Sequence, residues 1–185
     1  MKHLIIVYLV FSCLFGSAQK EVGDVQVPTV FSMGETNLIL NGAGLREKFF
    51  VDLYVLALYL KTKSSDPIKI MYANEPMAIR LYIVSSMVTS ERMEESTDEG
   101  FIRSTQGNIK PILNEINQFK LVFHEKMKKG DVYDFVYDHN KGTQVFKNNI
   151  LKTTIVGLDF KKAFFGIWLF KKPSDSDIQD RLMGK

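Results

Sequence analysis

The segment Phe49–Leu60 (FFVDLYVLALYL) limits the fold more than any other stretch of this chain. Valine, leucine, phenylalanine and tyrosine fill it, Asp52 is its one charge, and it is long enough for a half-buried β-strand. Thr36–Leu40 before it and Ala78–Val84 after it are similarly β-rich. A helical block follows. Ser90 is a suitable N-cap for a helix with Glu91, Glu94 and Glu95 near its positive end. Asn108 is read as the cap of a second helix, whose Ile112, Leu113, Ile116 and Phe119 share one face. Strands return at Val132–Tyr137, Thr143–Phe146 and Leu151–Val156. Asn140-Lys141-Gly142 and Asn148-Asn149 between them suit hairpin turns, because Asn and Gly tolerate positive φ. Asp159–Phe170 is helical again, with Phe160, Ala163, Phe164, Ile167 and Trp168 at i, i+3, i+4, i+7, i+8 spacing. Pro173 ends that helix, and Ser174 or Asp175 opens a last short one to Leu182. Strands, helices, strands and helices joined by hairpin-length links predict an α+β fold on an antiparallel sheet, not a parallel βαβ fold.

With 185 residues, 45% of them hydrophobic and 24% charged, the chain has the composition of one folded domain, which excludes disordered and collagen-like classes. The net charge of +3 is too mild for a nucleic-acid footprint, and Lys126–Lys129 reads as a solvated loop. Met1–Ala18 reads as a signal peptide. Lys2 supplies its positive end, Leu4–Phe15 its apolar run, and Gly16 and Ala18 the small residues of a cleavage site before Gln19. That run is shorter than the roughly 20 residues of a membrane span, so no stable membrane insertion is expected. The sequence thus predicts a periplasmic or secreted protein with one domain over residues 19–185, opening on a flexible lead-in, QKEVGDV. Cys13, the only cysteine, lies inside the leader, so the mature chain has no disulfide; acylation of Cys13 is the alternative, although Phe11-Ser12 makes a poor lipobox.

No catalytic apparatus is legible in the residues. His124 and His139 are the only mature histidines and form no HExxH, so neither a metal nor another cofactor is expected. No serine sits in a GxSxG elbow, and the carboxylate pairs Glu94-Glu95 and Asp98-Glu99 fall on a solvated helix. Asn41-Gly42-Ala43-Gly44 lacks the third glycine and the following helix of a nucleotide loop, so its glycines read as a bulge or a close backbone approach. Arg46 stands out. A guanidinium among apolar strand residues needs an anion or several acceptors, and its fork fits a carboxylate. An edge arginine paired with Glu47 or water is the other reading. Tyr54 and Tyr59 have the same ambiguity, between rings packed in a sheet and hydroxyls reaching a ligand.

Two stretches, LILNGAGLREKFFVDLYVLALYL (Leu38–Leu60) and LDFKKAFFGIWLFKKPSDSDIQDRLMG (Leu158–Gly184), resemble the chalcone isomerase-like family, specifically its bacterial secreted branch. The resemblance implies an open-faced β-sandwich: a long antiparallel sheet with a layer of helices on one face and a ligand cleft between them. In the plant isomerases of this family, an arginine on an early strand holds the phenolate, while a threonine and a tyrosine organise a catalytic water. Arg46 matches the arginine. The threonine falls at Tyr54, the tyrosine near Thr89 and a further asparagine near Ser96, so three of these four polar positions depart from the isomerase pattern. In the family's plastid fatty-acid-binding branch, an arginine and a tyrosine grip the carboxylate, and Arg46 and Tyr59 match them. The implied function is a non-enzymatic binding protein for a fatty acid or similar amphipathic carboxylate, with Arg46, Tyr59 and Tyr54 as ligand contacts. A chalcone–flavanone-type isomerase, or a structural module whose own side chains fill the cleft, are the alternatives.

Overall fold

The computed structural model describes residues 19–33, 36–170 and 176–185. The expectations for Met1–Ala18, Pro173, Ser174 and Asp175 lie outside these residues. The strands are β1 (Gln19–Val22), β2 (Val25–Pro28), β3 (Val30–Met33), β4 (Thr36–Lys48), β5 (Val51–Leu60), β6 (Met77–Ile83), β7 (Val132–Asp138), β8 (Gly142–Lys147) and β9 (Ile150–Ile155). The helices are α1 (Pro67–Tyr72), α2 (Ser90–Ser104), α3 (Leu113–Lys120), α4 (Leu158–Leu169) and α5 (Ser176–Leu182). Strands β3 to β9 form one seven-stranded antiparallel meander in chain order, while β1 and β2 form a separate hairpin. The lead-in predicted to be flexible is therefore a two-stranded element. Its polar sequence hides the few apolar residues, Val22, Val25 and Val27, that anchor it.

Both faces of the sheet are covered, which is why β5 reads as a nearly continuous apolar run instead of a clean alternation. Leu56, Leu58 and Leu60 face the helices, together with Ile79 and Leu81 of β6 and Tyr133 and Phe135 of β7. Val55, Ala57 and Tyr59 face the opposite way, against Val27, Phe31, Leu38 and Ala78. On the helix side, Phe119 of α3 and Phe160 and Phe164 of α4 pack against Phe101 of α2 in tilted or edge-on contacts, and Phe119 and Phe164 also meet Phe135. Helices α2 and α4 cross closely. A Cβ at Gly100 would stand 2.8 Å from Ile167, and one at Gly166 2.9 Å from Ser104.

Helix α1 is short and depends on its ends. Asp66 accepts hydrogen bonds from the Ile68 and Lys69 amides at its start. At its finish, the fully buried Lys161 of α4 donates to the carbonyls of Ile70, Met71 and Ala73 at 2.9, 2.9 and 2.7 Å.

The β4–β5 turn differs from the sequence expectation. Phe49 and Phe50, read as the start of a strand, are the two turn residues between the paired Lys48 and Val51. Their φ angles are +51° and +63°. Paired positive φ values are those of a type I′ hairpin turn, for which Asn-Gly is the preferred sequence. A bulky L residue in that region costs on the order of 1–3 kcal/mol. By contrast, Asn148 and Asn149 take the positive φ angles of +51° and +67° that the sequence predicts for the β8–β9 turn. Thr89, not Ser90, is the α2 N-cap, accepting from the Arg92 amide. Asn108 caps no helix: a 3₁₀ turn at Lys110–Ile112 leads into α3, and Leu113 is exposed.

The Asn41–Gly44 segment is the close approach predicted from its glycines. The β4–β5 register shifts between Leu40 and Gly42, and α5 lies directly on the bulged strand. A Cβ on Gly42 would collide with the Arg181 carbonyl oxygen and stand 2.6 Å from that of Leu182. Asn41 ties down the same helix by donating to the Leu182 carbonyl at 2.7 Å.

Candidate functional site

A cavity of about 530 Å³ opens between the β4–β5 hairpin, α2 and the ends of α4 and α5. Arg46 and Tyr54 both line it, and they are direct cross-strand neighbours on β4 and β5. Directly opposed residues share a sheet face, so guanidinium and phenol stand side by side on the helix-covered side. Leu53, Met93, Ile167, Trp168 and Ile178 supply apolar wall. The lining side chains include four cations (Arg46, Lys48, Arg92, Arg103) and two carboxylates (Glu95, Glu99). Arg103 lies 3.8 Å from Glu99, and Arg92 donates to the Met87 carbonyl at 3.1 Å, which fixes it at the cavity edge.

Tyr59 is not brought to this cavity. It points to the other face of the sheet, is fully buried, donates its hydroxyl to the Pro28 carbonyl at 2.9 Å and packs on Phe31. Burial raises its pKa well above the usual phenol value. It holds the N-terminal hairpin region against the sheet. Of the residues singled out from sequence, Arg46 and Tyr54 therefore meet, and Tyr59 stands apart.

The positions that the family resemblance relates to isomerase chemistry are also located. Thr89 is engaged in capping α2, and Ser96 lines the cavity. Sequence reasoning missed the α2 side of the site. Arg92, Ser96, Glu99 and Arg103 follow i, i+4, i+7, i+11 spacing and so form one helical stripe, all of it on the cavity. That periodicity was available in the sequence, but a stripe without apolar residues reads as solvent-facing. The neighbouring stripe does contact protein: Glu94 and Asp98 pair with Lys120 of α3 at 3.1 and 2.7 Å. Among the described residues no cluster of His, Cys, Asp or Glu could hold a metal ion, and no helix is long and apolar enough to cross a membrane.

A layer of helices on an antiparallel meander, with a cleft between them that Arg46 helps to line, defines an α+β architecture. Residues 19–184 match the chalcone isomerase-like family, and the chain belongs to it. No curated protein sequence matches the chain. Among solved structures, it is similar to a fatty-acid binding protein of Arabidopsis thaliana, with a TM-score of 0.66 and 16% identity, covering 87% of this chain and 93% of that one. At that identity the likeness shows the shared fold.

Proposed function

We propose that this protein binds a fatty acid or similar amphipathic carboxylate in the 530 Å³ cavity, without turning it over, and that it does so outside the cytoplasm. The observation that carries the reading is the pairing of Arg46 with Tyr54 in a cavity whose lining also includes Leu53, Met93, Ile167, Trp168 and Ile178. A guanidinium fork and a phenol suit a carboxylate head, and each methylene buried along the walls contributes about 0.8 kcal/mol. The volume falls within the roughly 300–1,000 Å³ of small-molecule sites. The fatty-acid binding of the Arabidopsis thaliana protein with this fold supports the same ligand class. Binding is favoured over isomerisation because Tyr54 occupies the position where the isomerase pattern has a threonine, and because Thr89 is spent on a helix cap.

Arg46→Ala is expected to weaken binding of a long-chain fatty acid to delipidated protein by about 1.5–3 kcal/mol, the range for a hydrogen bond to a charged group. Isothermal titration measures it, and a thermal melt accompanies it. Unchanged affinity would show that the head lies elsewhere, while a collapsed melting temperature would assign Arg46 to the fold. Tyr59→Phe, on the other face, should leave the affinity unaltered. For export, intact mass of protein from the periplasmic fraction is expected to begin at Gln19; a retained Met1 would refute this leader, and a diacylglycerol mass on Cys13 would make the protein membrane-anchored.

A further inference from the structure

We infer that the crossing of α2 and α4 sets the size of ligand that the cavity admits, with Ile167 as the deciding wall and Gly100 as the notch that holds it back. This extends the carboxylate-binding reading above, on which it rests, to the length of the acyl chain. Ile167 has two different neighbours. On one side it lines the cavity. On the other it fills the gap left by the missing side chain of Gly100. A Cβ there would stand 2.8 Å from its Cγ2, 3.0 Å from its Cγ1 and 3.3 Å from its Cδ1. The notch adjoins the cavity, because Thr97, one turn earlier on α2, is itself a lining residue. Gly100 lies inside α2 without the positive φ that would call for glycine, and glycine is less favourable than alanine there. What the position provides is room.

The spacing of the two helices is fixed by other groups. Phe101, the next residue, is buried and meets Phe160 and Phe164 of α4 at 5.7 and 6.3 Å between ring centres. Gly166 forms a second notch, where a Cβ would stand 2.9 Å from the Ser104 Cβ. Packed rings and this second notch hold the helices together, so a methyl at position 100 displaces Ile167 before it parts them. Ile167 is β-branched and stiff at χ1 in a helix, and the open space beside it is the cavity. Displacing it takes volume from the ligand. Trimming it gives volume back.

The test is isothermal titration of delipidated protein with saturated fatty acids of increasing chain length. The native protein, Gly100→Ala, Ile167→Ala and the double variant are compared. Each methylene that finds room should strengthen binding about fourfold, and the gain stops where the chain outgrows the cavity. Gly100→Ala is expected to move that limit to a shorter chain, and Ile167→Ala to a longer one. In the Ile167→Ala background the added methyl no longer meets the atoms it displaces, so Gly100→Ala should leave the limit in place. A merely structural glycine would change the melting temperature, and the affinity for every length alike, without moving the limit. That result would overturn the proposal. So would a limit lengthened by Gly100→Ala, or one shortened equally in both backgrounds. If Gly100→Ala does not fold, Ile167→Ala decides alone, and an unmoved limit is the overturning result. Native binding with a limit indifferent to both residues leaves the carboxylate reading standing, whereas no binding at any length removes that reading and the proposal together.

Discussion

Adding one methyl group at position 42 is expected to destabilise the protein by about 3–5 kcal/mol, the burial energy of roughly two large apolar side chains. The Cβ of a Gly42→Ala variant would occupy the space of the Arg181 and Leu182 carbonyl oxygens, and these are backbone atoms of α5. They cannot move without the helix, so Ile178 and Leu182 would leave the core and the Asn41 bond to Leu182 would stretch. Gly44→Ala is the control. Its Cβ would meet the Cβ and Cδ of Arg181 at 2.7 Å and the Ile178 side chain at 3.0 Å, so it presses on side chains of α5 and not on its backbone carbonyls. Chemical denaturation of both variants should rank Gly42→Ala well below Gly44→Ala. The reverse order, or a Gly42→Ala protein of native stability, would show that α5 is not seated on β4 as described.

Replacing Lys161 with methionine is expected to cost about 2–4 kcal/mol, because it leaves buried carbonyls of α1 without a donor. The loss should depend on pH. Burial, reinforced by the neighbouring Lys162 charge and opposed by Glu75, pushes the Lys161 ammonium down from 10.5 to about 7. Between those values the unfolded chain binds more proton than the folded protein, whose neutral amine still supplies two of the three carbonyls, so native stability rises with pH across that window and is lost as pH falls from 10.5 to about 7. The buried tyrosines limit the upper end. Their raised folded pKa values, with burial as the main cause at Tyr82, Tyr133 and Tyr137, reverse the slope above about pH 10. The native protein should therefore gain stability from about pH 7 to 10, and Lys161→Met should lack that gain. Denaturant midpoints at several pH values measure it. Parallel curves for the two proteins would mean that Lys161 keeps its charge throughout.

Much of this architecture is legible in the sequence, and the failures have physical causes. The Asn148-Asn149 turn and the apolar spacing of α4 are local signals, and they correspond to the structure. The glycines of Asn41–Gly44 read correctly as a close approach, but what approaches them, the final helix, is a long-range fact. Helix α1 escaped notice because its finish is satisfied by a lysine from α4, far along the chain. The hairpin turn at Phe49-Phe50 was hidden by its composition, since no rule of turn propensity selects two phenylalanines for positive φ. Tyr59 shows a different kind of miss. It stands five positions beyond Tyr54, an odd offset, and side chains alternate faces along a strand, so the two tyrosines of one strand cannot serve one site. Matching residues to a family motif ignored that parity.

The sheet's second covered face has a consequence for how this protein can change. Val55, Ala57 and Tyr59 are fully buried behind the strand that carries Tyr54, on the face away from the cavity. The rear layer supports the sheet through contacts that no cavity residue shares, so substitutions on the two faces should act nearly independently, as sites without common partners do. The cavity lining can then drift in size and polarity, one residue at a time, against a backbone anchored from behind. Changes in the cavity would draw on its own lining, from hairpin and helices alike, and leave the stability reserve of the rear layer untouched.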